Sequence, residues 1–311
     1  MLRLLKRRRR AEGLTGLGLL PDGIALAHVR RAAGGAPELT RCEHRACGAD
    51  PAARRAALRE LVRAHGLAGS RCVAVLEPGD YQLLQVEAPA VPPEELRAAV
   101  RWQVRDLLDY HVDDAVIDVF DVPGDERPGR PMYVVAARAA DVQAVVDLAR
   151  EAELELEAID IAELALRNVA ACMPAAERGL ALVRLRAAEG LILIVRAGAL
   201  QLARNVEFGA ASLSAPGGGG ALHDSLALEV QRSLDYYDST FRQAPVTRVV
   251  VAPFEGDAQG LAEHLHASLG LDSDVMDLNE ILTPAEPVAP QVQARALEAV
   301  GGALRTEERS L

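Results

Sequence analysis

The sequence predicts an α/β protein of two domains, and three observations predict it. Short apolar, strand-like runs alternate with amphipathic helical stretches along the whole chain. A pattern of two strands turning at a glycine, then a third strand, opens near residue 15 and occurs again near residue 180. Between the two lies a stretch of different texture, residues 80–154, punctuated at its start by Pro89, Pro92 and Pro93. At 311 residues and 33.1 kDa, half of it hydrophobic, the chain can bury a core of that size.

The first strand pair, "TGLGLLPDGIALAHV" at 15–29, folds about Pro21, Asp22 and Gly23, and a third strand follows at 39–44 beyond Gly34 and Gly35. Residues 52–64 read as a helix stopped by Gly66, and 72–76 as a buried strand. Glu94 and Glu95 then open a helix running to about residue 108, acidic at its positive end. Leu96, Val100, Val104 and Leu107 share its core face, while Trp102 stands opposite, near the row of Arg97, Arg101 and Arg105. Two strands, 115–122 and 132–137, and a helix over 140–152 complete this unit, and 156–161 with a helix to about 172 resume the core.

The second half offers strands at 180–186, 191–196 and 200–206, then a linker-like 212–220 stretch with four consecutive glycines. A long amphipathic helix over 222–241, a buried strand at 246–251, a helix at 259–269 and a final helix at 292–304 follow.

Composition excludes several function classes. Of 34 basic residues only Lys6 is lysine, which removes an active-site lysine, and the phosphate-cradling or Schiff-base chemistry that uses one, from the folded body. The net charge of -11 combines six positive charges in the first ten residues, Arg3, Lys6, Arg7, Arg8, Arg9 and Arg10, with -17 on the rest. So acidic a body predicts no nucleic-acid partner. With Leu2, Leu4 and Leu5, the basic residues form either a tail resting on an anionic membrane surface or a solvated one. No apolar run approaches the ~20 residues that cross a bilayer, which predicts a cytoplasmic protein.

Motifs for catalysis are missing. There is no GxSxG and no HExxH; His264 and His266 point to different sides of a helix. Cys42, Cys47, Cys72 and Cys172 form no CxxC pair and read as buried or idle thiols, with a Cys42, His44 and Cys47 zinc site as the alternative. Asp113, Asp114, Asp118 and Asp121 read as edge-strand charges rather than an acid-base pair, because Asp118 and Asp121 lie on opposite strand faces. Gly16 and Gly18 begin a GxGxxG, but Pro21 takes the third position and no helix follows, so a dinucleotide site fails. Trp102 either packs on a neighbouring element or forms a partner surface with its arginines.

Two hairpins facing each other across a cleft are how actin-like ATPases hold phosphates, and here the likeness becomes specific. "EELRAAVRWQVRDLLDYHVDDAVIDVFDV" at 94–122, "AIDIAELALRN" at 158–168, "LEVQRSLDYY" at 228–237 and "GALR" at 302–305 carry it over nearly the whole chain. In these stretches and their order the sequence resembles the PilM-like, actin-like proteins of type IV pilus assembly. It looks most like their MshI branch, from the mannose-sensitive haemagglutinin pilus.

That resemblance implies an actin-like (ribonuclease H-like) two-domain α/β fold. Residues 1–13 would be a basic tail and 14–177 the first domain, carrying 80–154 as an inserted helix-strand-strand-helix subdomain and receiving a C-terminal helix at about 291–305. Residues 178–290 would be the second domain, with a reduced nucleotide-shielding subdomain.

The resemblance also implies an adaptor at the cytoplasmic face of the inner membrane. Its partners would be the cytoplasmic segment of a PilN-like membrane protein, held beside the inserted unit near Arg97, Arg101, Trp102, Arg105 and Tyr110, and the pilus assembly ATPase. The nucleotide cleft departs from the family. Where nucleotide-binding members resemble DIGSSSVK, the aligned positions are Gly18, Leu20 and Ala25, and Pro21 removes an amide donor. Arg184 and Arg186 replace an acidic residue and a glycine in the second hairpin, and Ala252, Pro253 and Phe254 replace a glycine cluster. The expectation is therefore a non-catalytic protein with no cofactor and no metal. The alternative is a divergent ATPase binding Mg-ATP through Arg184 and Arg186. A filament former is the third class the fold allows.

Overall fold

A hairpin, a third antiparallel strand and two parallel strands reached through helices make one sheet, and the chain builds that sheet twice. The computed structural model describes residues 12–31, 35–122, 129–213, 219–241 and 243–307. The basic tail, the middle of the 212–220 stretch and part of the 124–131 loop lie outside the described residues.

In the first half β1 (Leu14–Leu20), β2 (Gly23–Arg30) and β3 (Glu38–Ala46) run antiparallel, and β4 (Arg71–Val75) joins parallel to β1. Between β3 and β4 lies α1 (Pro51–Ala64), started by Asp50, whose side chain accepts from the Ala53 amide at 2.9 Å, and by Pro51 in its first turn. An inserted unit follows: β5 (Tyr81–Glu87), α2 (Leu96–Val104), β6 (Ala115–Asp121) and β7 (Pro131–Arg138). Then come α3 (Ala139–Glu151), β8 (Glu155–Asp160), which pairs parallel to β4, and α4 (Ala162–Ala170).

The second half repeats the plan. β9 (Leu180–Leu185), β10 (Gly190–Arg196) and β11 (Ala199–Val206) are antiparallel. After α5 (Ala210–Leu213) and α6 (Gly219–Phe241), β12 (Arg248–Val251) lies parallel to β9; α7 (Ala258–Leu269) leads to β13 (Asp272–Val275), parallel to β12. The chain then returns to the first half through α8 (Leu278–Ile281), β14 (Thr283–Pro284) on the edge of β3, and α9 (Pro290–Ala303). Strand orders are β14-β3-β2-β1-β4-β8 and β11-β10-β9-β12-β13.

Helix α9 lies against β1, β2, β4 and α4, and small residues admit it. A side chain on Gly16 would run into the Ala299 carbonyl oxygen and come within 2.7 Å of the Ala303 amide nitrogen. One on Gly301 would run into the Ala165 carbonyl of α4. The first glycine of the GxG in β1 thus serves backbone-to-backbone packing.

The inserted unit differs from the helix-strand-strand-helix expected. A strand, β5, precedes its helix, and the sheet order is β5-β7-β6. α2 covers one face, packing Val100 and Val104 on Val86, Met132 and Val134. The opposite face turns towards the second half: Phe120 and Tyr133 stack at 5.1 Å, and the Tyr133 hydroxyl accepts from the Ala203 amide of β11 at 3.1 Å. α3 instead covers the first sheet, burying Val145, Leu148 and Ala149 with Leu58 and Leu61 of α1. α2 ends at Val104, so Leu107 escapes its periodicity and is 56 % exposed rather than part of the core face. Among the described residues no helix is long and apolar enough to cross a membrane.

Candidate functional site

The two hairpin turns border one cleft between the halves. In the first, Leu20 pairs with Gly23 about Pro21 and Asp22; in the second, Leu185 pairs with Gly190, and the Arg186 amide donates to the Glu189 carbonyl at 2.9 Å. A Cβ on Gly23 would lie 2.5 Å from His44 Nε2 and 2.6 Å from the Arg45 carbonyl, so this glycine closes β2 on β3. The cleft encloses about 660 Å³, with Gly18, Leu20, Arg184, Arg186 and Phe254 among its walls and Arg295 and Glu298 contributed by α9. Ala25 does not reach it; that side chain is fully buried in the core. Pro253 takes part through its carbonyl oxygen, which accepts from Arg184 Nη1 at 2.6 Å.

Arg184 is an arginine inside a strand whose every residue is buried. Such a charge must find a partner. Its Nε and Nη2 donate to the two oxygens of Glu298 at 3.0 and 3.2 Å, and Nη2 donates to the Ala294 carbonyl at 2.7 Å. Arg186 Nη2 adds a third bond to the same carboxylate at 3.1 Å. Burial by itself would push the Glu298 carboxyl up, but the two guanidinium groups outweigh it and hold it at about 2. At the cleft mouth Arg295 donates to both oxygens of Asp22, at 2.9 and 2.8 Å, and to Glu255 at 2.8 Å.

Glu298 is the cleft residue that sequence reasoning missed. Its signal was available in Arg184 itself, a charge in an otherwise apolar run that requires a carboxylate from elsewhere. Asp22, a carboxylate in the first turn, was likewise not read as a site group. Both carboxylates are engaged by arginine.

On the inserted unit Trp102 is 69 % exposed, with the Arg105 guanidinium 5.4 Å from its ring centroid. It does not pack on a neighbouring element. The other arginines differ from a uniform row. Arg97 pairs with Asp118 at 3.1 Å, while Arg101 turns inward and donates to the carbonyls of Val112 and Ala115, clipping the segment after α2 to the start of β6. Tyr110 lies under Arg138, whose guanidinium is 4.1 Å from its ring.

No group of three His, Cys, Asp or Glu able to hold a metal occurs among the described residues, so Cys42, His44 and Cys47 do not converge. Burial pushes the Cys42 and Cys72 thiols up to about 12, away from reactive thiolates. Asp118 and Asp121 are exposed edge-strand charges paired with Arg97 and Arg130.

No protein-family model matches the sequence, and no curated protein does. Solved structures do match. A chain of the PilM-PilN type IV pilus biogenesis complex superposes with a TM-score of 0.71 at 20% sequence identity, over 95% of this chain and 98% of that one. A Bacteroides thetaiotaomicron protein of unknown function with an actin-like ATPase fold gives a TM-score of 0.51 at 9% identity, over 96% and 98%. The fold is actin-like.

Proposed function

We propose that the protein is a non-catalytic adaptor of the inner-membrane platform in type IV pilus biogenesis, of the MshI kind. It binds the cytoplasmic segment of a PilN-like membrane protein beside its inserted unit. The observation that carries this reading is Trp102, a large aromatic left exposed under a stacked arginine on the inserted unit of a fold shared with a chain of the PilM-PilN complex. Aromatic and arginine pairs of this kind dominate binding energy in protein interfaces. Arg105 and Tyr110 extend the surface, Arg97 stands exposed beside them in its pair with Asp118, and Arg101 holds the unit in shape through backbone carbonyls.

The cleft supports the non-catalytic part of the reading. The three arginines that could meet phosphate are held by Glu298, Asp22 and Glu255, and the turn of the first hairpin spends a position on Pro21, which has no amide to donate. In this reading no nucleotide or metal serves the protein. It works at the cytoplasmic membrane face, where the basic tail adds attraction to anionic lipid and the assembly ATPase is a further partner.

Trp102 is the sole tryptophan, so its own emission reports the contact. Titrating the protein with a synthetic peptide of the PilN-like cytoplasmic segment should give a saturable blue shift. By calorimetry Trp102→Ala should weaken the peptide roughly tenfold or more. A flat titration, or full affinity in Trp102→Ala, defeats the reading, and saturable Mg-ATP binding by the wild type would favour the ATPase.

A further inference from the structure

We infer that Glu298 is a built-in ligand: its carboxylate occupies an oxyanion subsite made by Arg184 and Arg186, and so fastens the two halves across the cleft without any external anion. The subsite is constructed on the second half. Arg184 stands on β9, nearly inaccessible to solvent, and Arg186 opens the turn that follows. Glu298 comes from α9, whose buried face is fitted to β1 and α4 of the first half. Three donor groups converge on its two oxygens, a bidentate contact from Arg184 and a single one from Arg186. Two guanidinium groups around one anion is the arrangement that recognises carboxylate and phosphate alike.

The remaining donors of Arg184 are also committed to both sides, to Pro253 beyond β12 and to Ala294 on α9. One turn away, Arg295 on the same helix reaches Asp22 in the first hairpin and Glu255 in the second half. α9 therefore ties both hairpins through two charged side chains three positions apart on one helix face. The class of ligand the subsite accepts is a small oxyanion, carboxylate or phosphoryl. In the native chain it is filled in cis. This holds whatever partner Trp102 takes, because the groups that donate to Glu298 are Arg184 and Arg186 of the second half.

The test removes the internal anion and offers an external one. Glu298→Ala should bind inorganic pyrophosphate at least roughly tenfold tighter than the wild type does, with a saturable rise in melting temperature that potassium chloride of equal ionic strength does not reproduce. The double variant Glu298→Ala with Arg184→Met should lose that response. If Glu298→Ala is unfolded alone, pyrophosphate and not chloride should restore its folding. The inference is overturned if Glu298→Ala shows no pyrophosphate-specific binding or rescue, or if the wild type responds equally. Mg-ATP titrated into the wild type is read separately. Binding there with a normal Glu298→Ala response would sink the non-catalytic reading and leave the built-in ligand standing.

Discussion

Replacing Gly16 by alanine tests whether the glycines of β1 serve α9 or a ligand. The added Cβ would overlap the Ala299 carbonyl oxygen and sit 2.7 Å from the Ala303 nitrogen, both backbone atoms of a helix that cannot rotate out of the way. A relaxed contact needs about 3.5 Å, so α9 must withdraw by roughly 1 Å or more. Nine residues of α9 are buried, and its withdrawal would loosen their packing along with the Arg184 and Glu298 contact. Overpacking of this sort costs about 1–3 kcal/mol, and backbone obstruction places Gly16→Ala near the top of that range, about 3 kcal/mol. Gly18→Ala is the control. Its Cβ would meet the Ala299 and Ala25 methyls at 3.4 and 3.5 Å, ordinary contact distances, and alanine in a strand gains about 0.5–1 kcal/mol over glycine. Urea denaturation of the two variants should therefore diverge, with Gly16→Ala strongly destabilised and Gly18→Ala neutral or better. Equal effects, or a larger loss at Gly18, which faces the cleft, would refute the packing argument.

Two further outcomes follow from buried charge. Glu298 is held at about 2 against an ordinary value of 4.5, so it contributes stability that is complete above about 4.5 and disappears as pH falls towards 2. That contribution is about 3 kcal/mol at neutral pH, and urea midpoints at pH 7 and pH 3 should show Glu298→Gln losing far less on acidification than the wild type. Arg305 meets Asp160 at 2.8 Å, and burial pushes that carboxyl up. Arg305→Ala should cost about 3 kcal/mol by stranding the charge, and Asp160→Asn in the same chain should recover most of it in thermal melts.

The sequence by itself determined the architecture, because the signals that specify strands and amphipathic helices are local. Apolar runs such as "LALVRL" and "LILIV", glycine turns and the spacing of Leu226, Val230 and Leu234 state their periods within a few residues. The doubled strand pattern carried the plan of both sheets for the same reason. Where the local signal weakened, the reading slipped. β5 is a proline-free but only half-buried run, "YQLLQVE", and Leu107 continues a helical period past the point where the helix stops.

Only the tertiary structure decided what the cleft residues do. Arg184 can announce its need for a carboxylate, but Glu298 lies 114 residues further along the chain, among several acidic residues that serve equally well on paper. Which one answers depends on how α9 is seated, and that depends on Gly16 lacking a side chain exactly where one helix backbone passes one strand. Likewise Arg97, Arg101 and Arg105 share a helical spacing, yet the fold gives Asp118 to the first, backbone carbonyls to the second and Trp102 to the third. Periodicity fixes which face a residue occupies; the charge and shape of what lies opposite fix its role, and the sequence does not record what lies opposite.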